Sequence, residues 1–280
     1  MKTILLCICT FYVALVVSCT PKKESEDINI IFLHHSTGNI IWNGKTTSIV
    51  EKMVGKISKK LANSFTSKPF LPSLFEKYNQ ENHRKFHIKE ITFPKSRPYG
   101  WNNFPYDYYN IWVKNSGNQY YMKEPTLEKL TNEYDVIIFK HCFPVSNIQN
   151  DLDSADINSN IKTITNYKLQ YLALKNKIHE FPETKFILFT GAVQVKSNIS
   201  EDEAKRTAEF FNWVINEWDQ PGDNIFLWDL YNLQTEGGLY FKDEYAQSFN
   251  NSHPNTDFAK KASKLLFERI INIVEDNGNE

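Results

Sequence analysis

The stretch IIFLHHSTGN, residues 30–39, passes from four apolar residues into two histidines, a serine, a threonine and a glycine. Four consecutive apolar residues are typical of a strand that is buried on both faces, and a Ser-Thr-Gly turn is typical of a strand end. Such a turn can expose the hydroxyl of Ser36 and turn its backbone N–H toward a site. A serine is a good nucleophile only when a base removes its proton. The stretch therefore predicts a strand-to-helix turn with a candidate nucleophile.

From residue 28 onward, apolar runs alternate with longer amphipathic segments, which is typical of parallel strands joined by crossover helices. The apolar runs predict strands at 28–34, 86–93, 134–140, 185–190 and 224–229. The three-to-four spacing of apolar residues predicts helices at 46–64, 124–131, 159–181, 201–218 and 255–275. We therefore predict one α/β domain over residues 28–276, a three-layer α/β/α sandwich around a central parallel sheet of about five strands. Residues 94–121 show no clear element, which is typical of a functional loop or an insertion.

The overall charge argues against a polyanionic partner. The 280 residues contain 32 Lys and Arg against 33 Asp and Glu, so the formal net charge is −1. Nucleic-acid binding needs a basic face, and we predict no nucleic-acid partner. Aromatic residues make up 14% of the chain, which is a high share, and some of them are expected to line a surface.

The N-terminal residues are predicted to be a targeting signal. Residues 4–17 form an apolar stretch that is too short for the roughly 20 residues of a membrane-spanning helix. The following VVSC, residues 16–19, resembles the bacterial lipobox. The resemblance implies a lipoprotein signal peptide at 1–18, a lipid on Cys19, a lipidated tether at 19–27, and a location in the bacterial cell envelope on the periplasmic or surface face. The alternative is a plain secretory signal with an incidental cysteine.

Cysteine usage fits an exported domain without disulfides. Cys7 and Cys9 are expected to leave with the signal peptide, and Cys19 is expected to carry lipid. Only Cys142 then remains in the mature domain, so no intramolecular disulfide can form.

The carboxyl ends of the predicted strands are where we expect the site, because ligands of open parallel sheets bind there. His34 and His35 are poor candidates for the base, since one points along the sheet face and the other points away from Ser36. His253 lies in NNSHPN, residues 250–255, directly before the last helix. A proline at a helix start is a recognised entry signal, and such a loop can hold an imidazole over the strand ends.

The stretches FLHHSTGN, DVIIFKHCFPVSNI and SHPN together resemble the SGNH (GDSL-like) hydrolase superfamily, in a divergent bacterial lipoprotein branch. The layout matches over residues 28–275, although HHSTG replaces the usual Gly-Asp-Ser and KHCFPVSN lacks the usual glycine. The resemblance implies a flavodoxin-like sandwich with Ser36 as the nucleophile and His253 as the base. It also implies an oxyanion hole formed by the N–H groups of Ser36 and Gly100 and the amide of Asn147, with Gly117 as an alternative to Gly100.

The acid of the triad is the departure from that pattern. The superfamily usually has Asp three residues before the histidine, where this chain has Asn250, and Asn251 is no better. An amide can orient an imidazole but cannot stabilise imidazolium as a carboxylate does. Asn250 and Asp243 are the possible orienting groups, and three alternatives remain open: a Ser–His dyad whose ring is oriented by a backbone carbonyl, a substitute acid from Asp243 or Glu244, or a site without activity.

The aromatic loop YGWNNFPYDYYNIWV, residues 99–113, is either a lid over the core or a surface for sugar stacking. Trp101, Tyr106 and Tyr108 are the predicted substrate contacts.

These observations predict an exported, lipid-anchored serine esterase or acetyl-hydrolase that forms an acyl-enzyme on an acylated carbohydrate, without a metal or cofactor. One alternative makes Cys142 the nucleophile, with His141 or His253 as its base. A second alternative is a metal site of the histidines. A third is a non-catalytic glycan-binding surface lipoprotein on a degenerate hydrolase scaffold.

Overall fold

The computed structural model of the chain describes residues 27–46 and 68–278. Their main sheet has five parallel strands in the order β2–β1–β3–β4–β5. The strands are β1 (Asp27–His34), β2 (Lys85–Thr92), β3 (Val136–Phe139), β4 (Lys185–Phe189) and β5 (Ile225–Trp228). Each predicted strand is present, and its ends lie within two residues of the predicted ends. The α/β fold class with a central parallel sheet is confirmed.

The helices of the described residues cover both faces of this sheet. They are α1 (Ser36–Asn43), α2 (Phe70–Asn82), α3 (Pro105–Tyr108), α4 (Leu127–Thr131), α5 (Ile164–Ile178), α6 (Glu201–Trp213), α7 (Leu230–Thr235) and α8 (Thr256–Asp276). Helices α1, α2 and α8 pack together on one face, whereas α3, α5 and α6 pack on the other. None of the helices within residues 27–46 and 68–278 is long and apolar enough to cross a bilayer.

Several elements were not predicted from the sequence. Helices α2 and α7 lie in segments without a predicted element, and a π-helix at Tyr109–Lys114 extends α3 within the supposed loop at 94–121. The predicted helix at 201–218 is α6 followed by a π-helix at Val214–Trp218. The predicted helix at 46–64 lies almost entirely outside the described residues, as do the signal peptide, Cys19 and nearly all of the tether.

Part of the segment at 94–121 is core rather than a mobile lid. Tyr108 and Trp112 are fully buried and pack in edge-to-face geometry, with ring centroids 4.8 Å apart. Both rings also contact Phe139 of β3. Burial of such aromatic side chains contributes heavily to a core, so this segment is fixed to the sheet face opposite α1 and α8.

A short antiparallel hairpin joins the sandwich to its last helix. Its strands are β6 (Ala246–Ser248) and β7 (Asn251–Pro254), and β7 contacts α1. Asn255 then caps α8, because its side chain accepts a hydrogen bond from the Phe258 N–H at 2.9 Å. The Asn255 amide also donates to the carbonyl of Glu244 at 2.7 Å. One residue therefore fixes both the start of α8 and the loop before the hairpin.

Candidate active site

Ser36 is the first residue of α1 and is exposed to solvent. Strand β1 ends at His34, and His35 caps the helix with extended backbone (φ −124°). The first N–H groups of a helix have no acceptor within the helix. The backbone of Ser36 therefore contributes an N–H donor at the same place as its hydroxyl, at the carboxyl end of the interior strand β1.

The hairpin places His253 over this serine. His253 Nε2 lies 2.9 Å from Ser36 Oγ, although the two residues are 217 positions apart. This distance is within the 2.6–3.2 Å in which a base can take the proton of a nucleophile. The ring of Phe143 packs edge-to-face against the imidazole of His253, with centroids 5.1 Å apart. The structure thus brings together the two residues for which a catalytic role is predicted.

Asn251 lies behind the imidazole, at the opposite ring nitrogen. Its Oδ1 is 2.8 Å from His253 Nδ1 and accepts the backbone N–H of His253 at 3.1 Å. Because a backbone N–H only donates, the shared acceptor must be the amide oxygen, and Nδ1 must carry the proton that it donates. His253 Nε2 then has a free lone pair toward Ser36 Oγ. This is the tautomer that a general base requires.

The sequence-based choice of orienting group was wrong. Asn250 is exposed at the hairpin turn, where its Oδ1 accepts from the Ser248 hydroxyl at 2.8 Å. Asp243 is exposed in the turn before β6. The position next to His253 Nδ1 is taken by Asn251, because residues two apart in a strand share a face. The amide of Asn251 is itself held by Gln247, whose Oε1 accepts from Nδ2 at 3.1 Å.

The buried side chain of His34 contacts the backbone of the turn that carries Ser36. The side chain is 3% exposed, with Nδ1 2.9 Å from the carbonyl oxygen of His35 and Nε2 2.7 Å from Glu90 Oε2. Both ring nitrogens of His34 thus lie within hydrogen-bond distance of an oxygen atom. His34 thereby ties the cap of α1 to strand β2.

Gly38 leaves the room that His34 needs. A Cβ at residue 38 would lie 2.3 Å from the Cβ and 2.5 Å from the Cγ of His34. No side chain can approach so closely, so the glycine of HHSTG is required by packing beneath the turn. His35 contributes a further tie between β1 and the loop after β2, since its Nε2 lies 2.7 Å from the Pro94 carbonyl oxygen. Burial lowers the pKa of His35.

The predicted oxyanion donors differ in whether their hydrogen-bonding groups are already used within the protein. The Gly100 N–H donates to the carbonyl of Ser96 at 3.2 Å, so it is not available to a bound substrate and the prediction for Gly100 is corrected. The N–H of the alternative, Gly117, donates to the carboxylate of Glu128. Asn147 is exposed, and its Oδ1 accepts from Gln194 at 2.8 Å. The role of Asn147 stays a prediction, and the Ser36 N–H remains as the donor at the serine itself.

Cys142 does not form a nucleophile pair with His141. The thiol is only 6% exposed, and burial raises its pKa although the Lys140 ammonium, 4.0 Å away, opposes this shift. His141 Nε2 instead lies 2.6 Å from the hydroxyl of Tyr171. Burial, together with the charge of Lys140, lowers the pKa of His141 to about 3. A buried thiol with a raised pKa is a poor nucleophile at neutral pH.

The histidines do not converge on a metal. His34, His35, His141 and His253 each face different partners, as described above. Within the described ranges no three His, Cys, Asp or Glu side chains are grouped so that they could hold a metal ion.

The predicted substrate contacts divide into three cases. Tyr108 is fully buried, and its hydroxyl donates to the carbonyl of Lys140 at 2.8 Å, so its predicted contact with substrate was wrong. Tyr106 is half-buried and lines a cleft. The side chain of Trp101 lies outside what the structure describes.

Comparison of the sequence with protein-family profiles and with curated proteins gives no match. Solved structures match at low identity. They include a carbohydrate esterase family 2 enzyme from Corynascus thermopiles (Myceliophthora fergusii), with a TM-score of 0.47, 11% identity, and coverage of 91% of this chain and 69% of that one. A lipase described as possible, from Chitinophaga pinensis, matches with a TM-score of 0.43 at 13% identity over 89% of this chain and 99% of its own.

A gut microbial diltiazem-metabolizing enzyme matches with a TM-score of 0.46 at 12% identity over 87% of this chain. The chain spans about half of that enzyme's length, since 47% of it is covered. At these levels of similarity the matches do not indicate a function for this chain.

The residues that sequence reasoning missed are Asn251, Gln247 and Glu90. NSHP alternates between half-buried and buried side chains in the structure, but its polar residues and proline show no apolar alternation in the sequence. NNSHPN was therefore predicted as a polar loop, and the rule that residues two apart share a face holds only in a strand. Glu90 had no local signal, since it meets His34 only through the pairing of β1 with β2.

Proposed function

We propose that this protein is a serine ester hydrolase with Ser36 as the nucleophile and His253 as the general base. Ser36 Oγ attacks the carbonyl carbon of the ester while His253 Nε2 takes the hydroxyl proton. The Ser36 N–H donates to the developing oxyanion, an interaction that typically contributes about 10²–10³ in rate. The alcohol leaves with the proton from His253, and water activated by the same imidazole then hydrolyses the acyl-enzyme.

The observation that carries this proposal is the Ser36–His253 contact in the base-competent tautomer. A hydroxyl bonded to a histidine is common on protein surfaces, but here the imidazole is fixed at its second nitrogen by Asn251 and the serine begins a helix at a strand end. This set of a nucleophile, a base and an orienting group is the arrangement expected of nucleophilic catalysis.

Hydrolysis of 4-nitrophenyl acetate tests the proposal. We expect turnover by the wild-type protein and a loss of about 10³ or more in kcat for Ser36→Ala or His253→Ala. The Cys142→Ser variant is the matched control, because the alternative nucleophile is buried, and it is expected to keep its activity. Activity that survives Ser36→Ala and disappears in Cys142→Ser would refute the assignment.

The substrate and the anchor are further parts of this proposal. An acylated carbohydrate fits Tyr106, which is half-buried in an otherwise buried aromatic segment. The lipobox-like VVSC supports a lipid on Cys19 and a place in the cell envelope. Labelling with radioactive palmitate in a bacterial host, followed by membrane fractionation, tests the anchor. We expect label and membrane retention for the wild type and neither for Cys19→Ser. Label-free secreted protein from the wild-type gene would contradict it.

A second candidate function is glycan binding without turnover. The uncharged Asn251 at the position of the acid is the observation that favours it, because an amide does not stabilise imidazolium. Binding of an acetylated oligosaccharide that is unchanged by Ser36→Ala, together with no ester hydrolysis by the wild type, is the result that would favour this candidate.

A further inference from the structure

A cleft of about 390 Å³ opens beside the candidate active site, and none of its side chains takes part in the chemistry described above. The loop after β2 and the start of α3 form one wall with Asn102, Tyr106 and Asp107, whereas Asn160 and Lys162 form the other. The volume is of the size that holds one ring of a small ligand.

The cleft combines aromatic faces with polar groups. The rings of Phe104 and Tyr106 are stacked, with centroids 6.2 Å apart and 26° between their planes. The ammonium of Lys162 lies over the Phe104 ring, 5.1 Å from its centroid. A flat apolar surface next to a cation and two amides suits a ligand that has both C–H faces and hydroxyl groups.

Asp107 supplies the acidic group of the cleft. Its carboxyl accepts the N–H groups of Phe104 and Asn103, and the side chain is almost fully buried. Burial raises the pKa of Asp107 to about 7, although those two N–H groups and the charge of Lys162 oppose the shift. Near neutral pH the group therefore both accepts and donates hydrogen bonds, which matches the dual character of a hydroxyl.

A series of packing contacts connects the cleft to Ser36 and His253. The short 3₁₀ turn at Gly100–Asn102 contacts the one at Phe143–Ser146, and the Cys142 N–H donates to the carbonyl of Asn103 at 3.0 Å. The Phe143 ring in turn packs on His253. The turn at Phe143–Ser146 therefore contacts both the wall of the cleft and the catalytic imidazole.

From these contacts we propose that the cleft is a binding subsite for a sugar ring of the acylated substrate. The C–H face of the ring packs on Tyr106, and its hydroxyls bond to Asp107, Lys162 and the amide of Asn102. A fatty acyl chain could form no hydrogen bond with Asp107, Lys162 or the amides of the cleft, and an anionic group would face the Asp107 carboxyl. A neutral, hydroxylated ring meets neither obstacle. This inference rests on the proposed ester hydrolysis and names its substrate class.

Substrate selectivity tests the subsite. The measurement is kcat/KM for partially acetylated xylo-oligosaccharides relative to kcat/KM for 4-nitrophenyl acetate, which has no sugar. We expect Tyr106→Ala and Lys162→Met each to lower this ratio about tenfold, which corresponds to the loss of one good contact. Tyr120→Ala, which removes an exposed tyrosine outside this cleft, is the matched control and should leave the ratio unchanged. An unchanged ratio in both cleft variants would overturn the subsite.

Binding to the Ser36→Ala variant separates this inference from the proposed function. Saturation-transfer NMR with the same oligosaccharides is expected to show contact that disappears on adding Tyr106→Ala or Lys162→Met. If the wild type hydrolyses no ester but this Tyr106-dependent binding is seen, the esterase proposal fails and the subsite stands. If 4-nitrophenyl acetate is hydrolysed and no oligosaccharide binds, the subsite fails and the esterase proposal stands.

Discussion

Asn251 is the residue whose chemistry limits the site. Its amide fixes the tautomer of His253 by two hydrogen bonds to one oxygen, but it carries no charge. During attack on an ester the imidazole becomes imidazolium, and a carboxylate behind it would stabilise that charge. The geometry for proton transfer is thus complete, whereas the electrostatic support for it is weak.

Asn251→Asp is therefore expected to increase activity. A carboxylate at this position stabilises the imidazolium that forms during attack, and we expect about a tenfold rise in kcat for 4-nitrophenyl acetate. Asn250→Asp is the control, since it adds the same charge one residue away at the exposed hairpin turn. A rise in the control but not in Asn251→Asp would show that Asn251 does not act through the imidazole.

Gly38 gives a second prediction at the scale of single residues. Gly38→Ala forces a Cβ against the Cβ and Cγ of His34, and overpacking of this kind typically costs about 1–3 kcal/mol in the free energy of unfolding. Since His34 holds the turn that carries Ser36, kcat should fall as well. Urea unfolding and ester hydrolysis measure the two effects. Gly222→Ala is the control: its positive φ (+88°) strains any side chain, but the new Cβ meets no atom within 4 Å.

At the scale of elements, the hairpin β6–β7 is what joins base to nucleophile. It contacts α1 through β7 and leads directly into α8, so the imidazole is held between two helices of the same face. The position of His253 therefore depends on Asn255, which bonds to Phe258 on one side and to Glu244 on the other.

Asn255→Ala should weaken both connections. Loss of a helix cap typically costs about 1 kcal/mol in the free energy of unfolding, and the freed loop should also lower kcat. Ser200→Ala is the matched control, because Ser200 caps α6 by accepting the Glu203 N–H and has no described link to the hairpin. We expect Asn255→Ala and Ser200→Ala to lose equal amounts of stability. Only Asn255→Ala should also show a fall in kcat. Equal kcat values in both variants would contradict a role of this cap in placing His253.

The sequence was sufficient for elements with strong local patterns. Strands β1, β3 and β4 were predicted because continuous apolar runs are typical of parallel strands buried on both faces, and α8 because its apolar residues recur at helical spacing. The hairpin and α2 were missed, since short or polar elements are specified by tertiary contacts. The same reason explains which site residues were predicted. Ser36 and His253 have local motifs, whereas the pairing of His34 with Glu90 exists only once β1 lies beside β2.

At the scale of the whole molecule, the parallel strands bring the loops around Ser36 together at the carboxyl end of the main sheet, and the β6–β7 hairpin adds His253. The serine turn follows β1, the aromatic loop follows β2 and the Cys142–Phe143 turn follows β3, so their side chains meet although they are far apart in sequence. This arrangement places the buried Asp107 in the same region, and its ionisation couples to the stability of the entire fold.

Asp107 is expected to make stability depend on pH. Its native pKa of about 7 lies above the ordinary 3.8, so the native state holds more protons than the unfolded state between these values. The free energy of unfolding should therefore fall as pH rises through this window. A tenfold change in a proton-binding constant corresponds to about 1.4 kcal/mol. Between about pH 4 and about pH 8 the wild type should therefore lose about 2–4 kcal/mol in the free energy of unfolding that Asp107→Asn does not lose. Urea unfolding at both pH values measures this difference, and parallel pH profiles would contradict it.

The central claim is that Ser36 is a nucleophile activated by His253, and covalent labelling tests it most directly. A fluorophosphonate probe reacts with activated serines, so the folded full-length protein should gain one probe mass by intact mass spectrometry, with the adduct on the peptide that contains Ser36. His253→Ala should slow the labelling strongly, and Ser36→Ala should abolish it. A folded wild-type protein that stays unlabelled, or an adduct on another residue, would contradict the account.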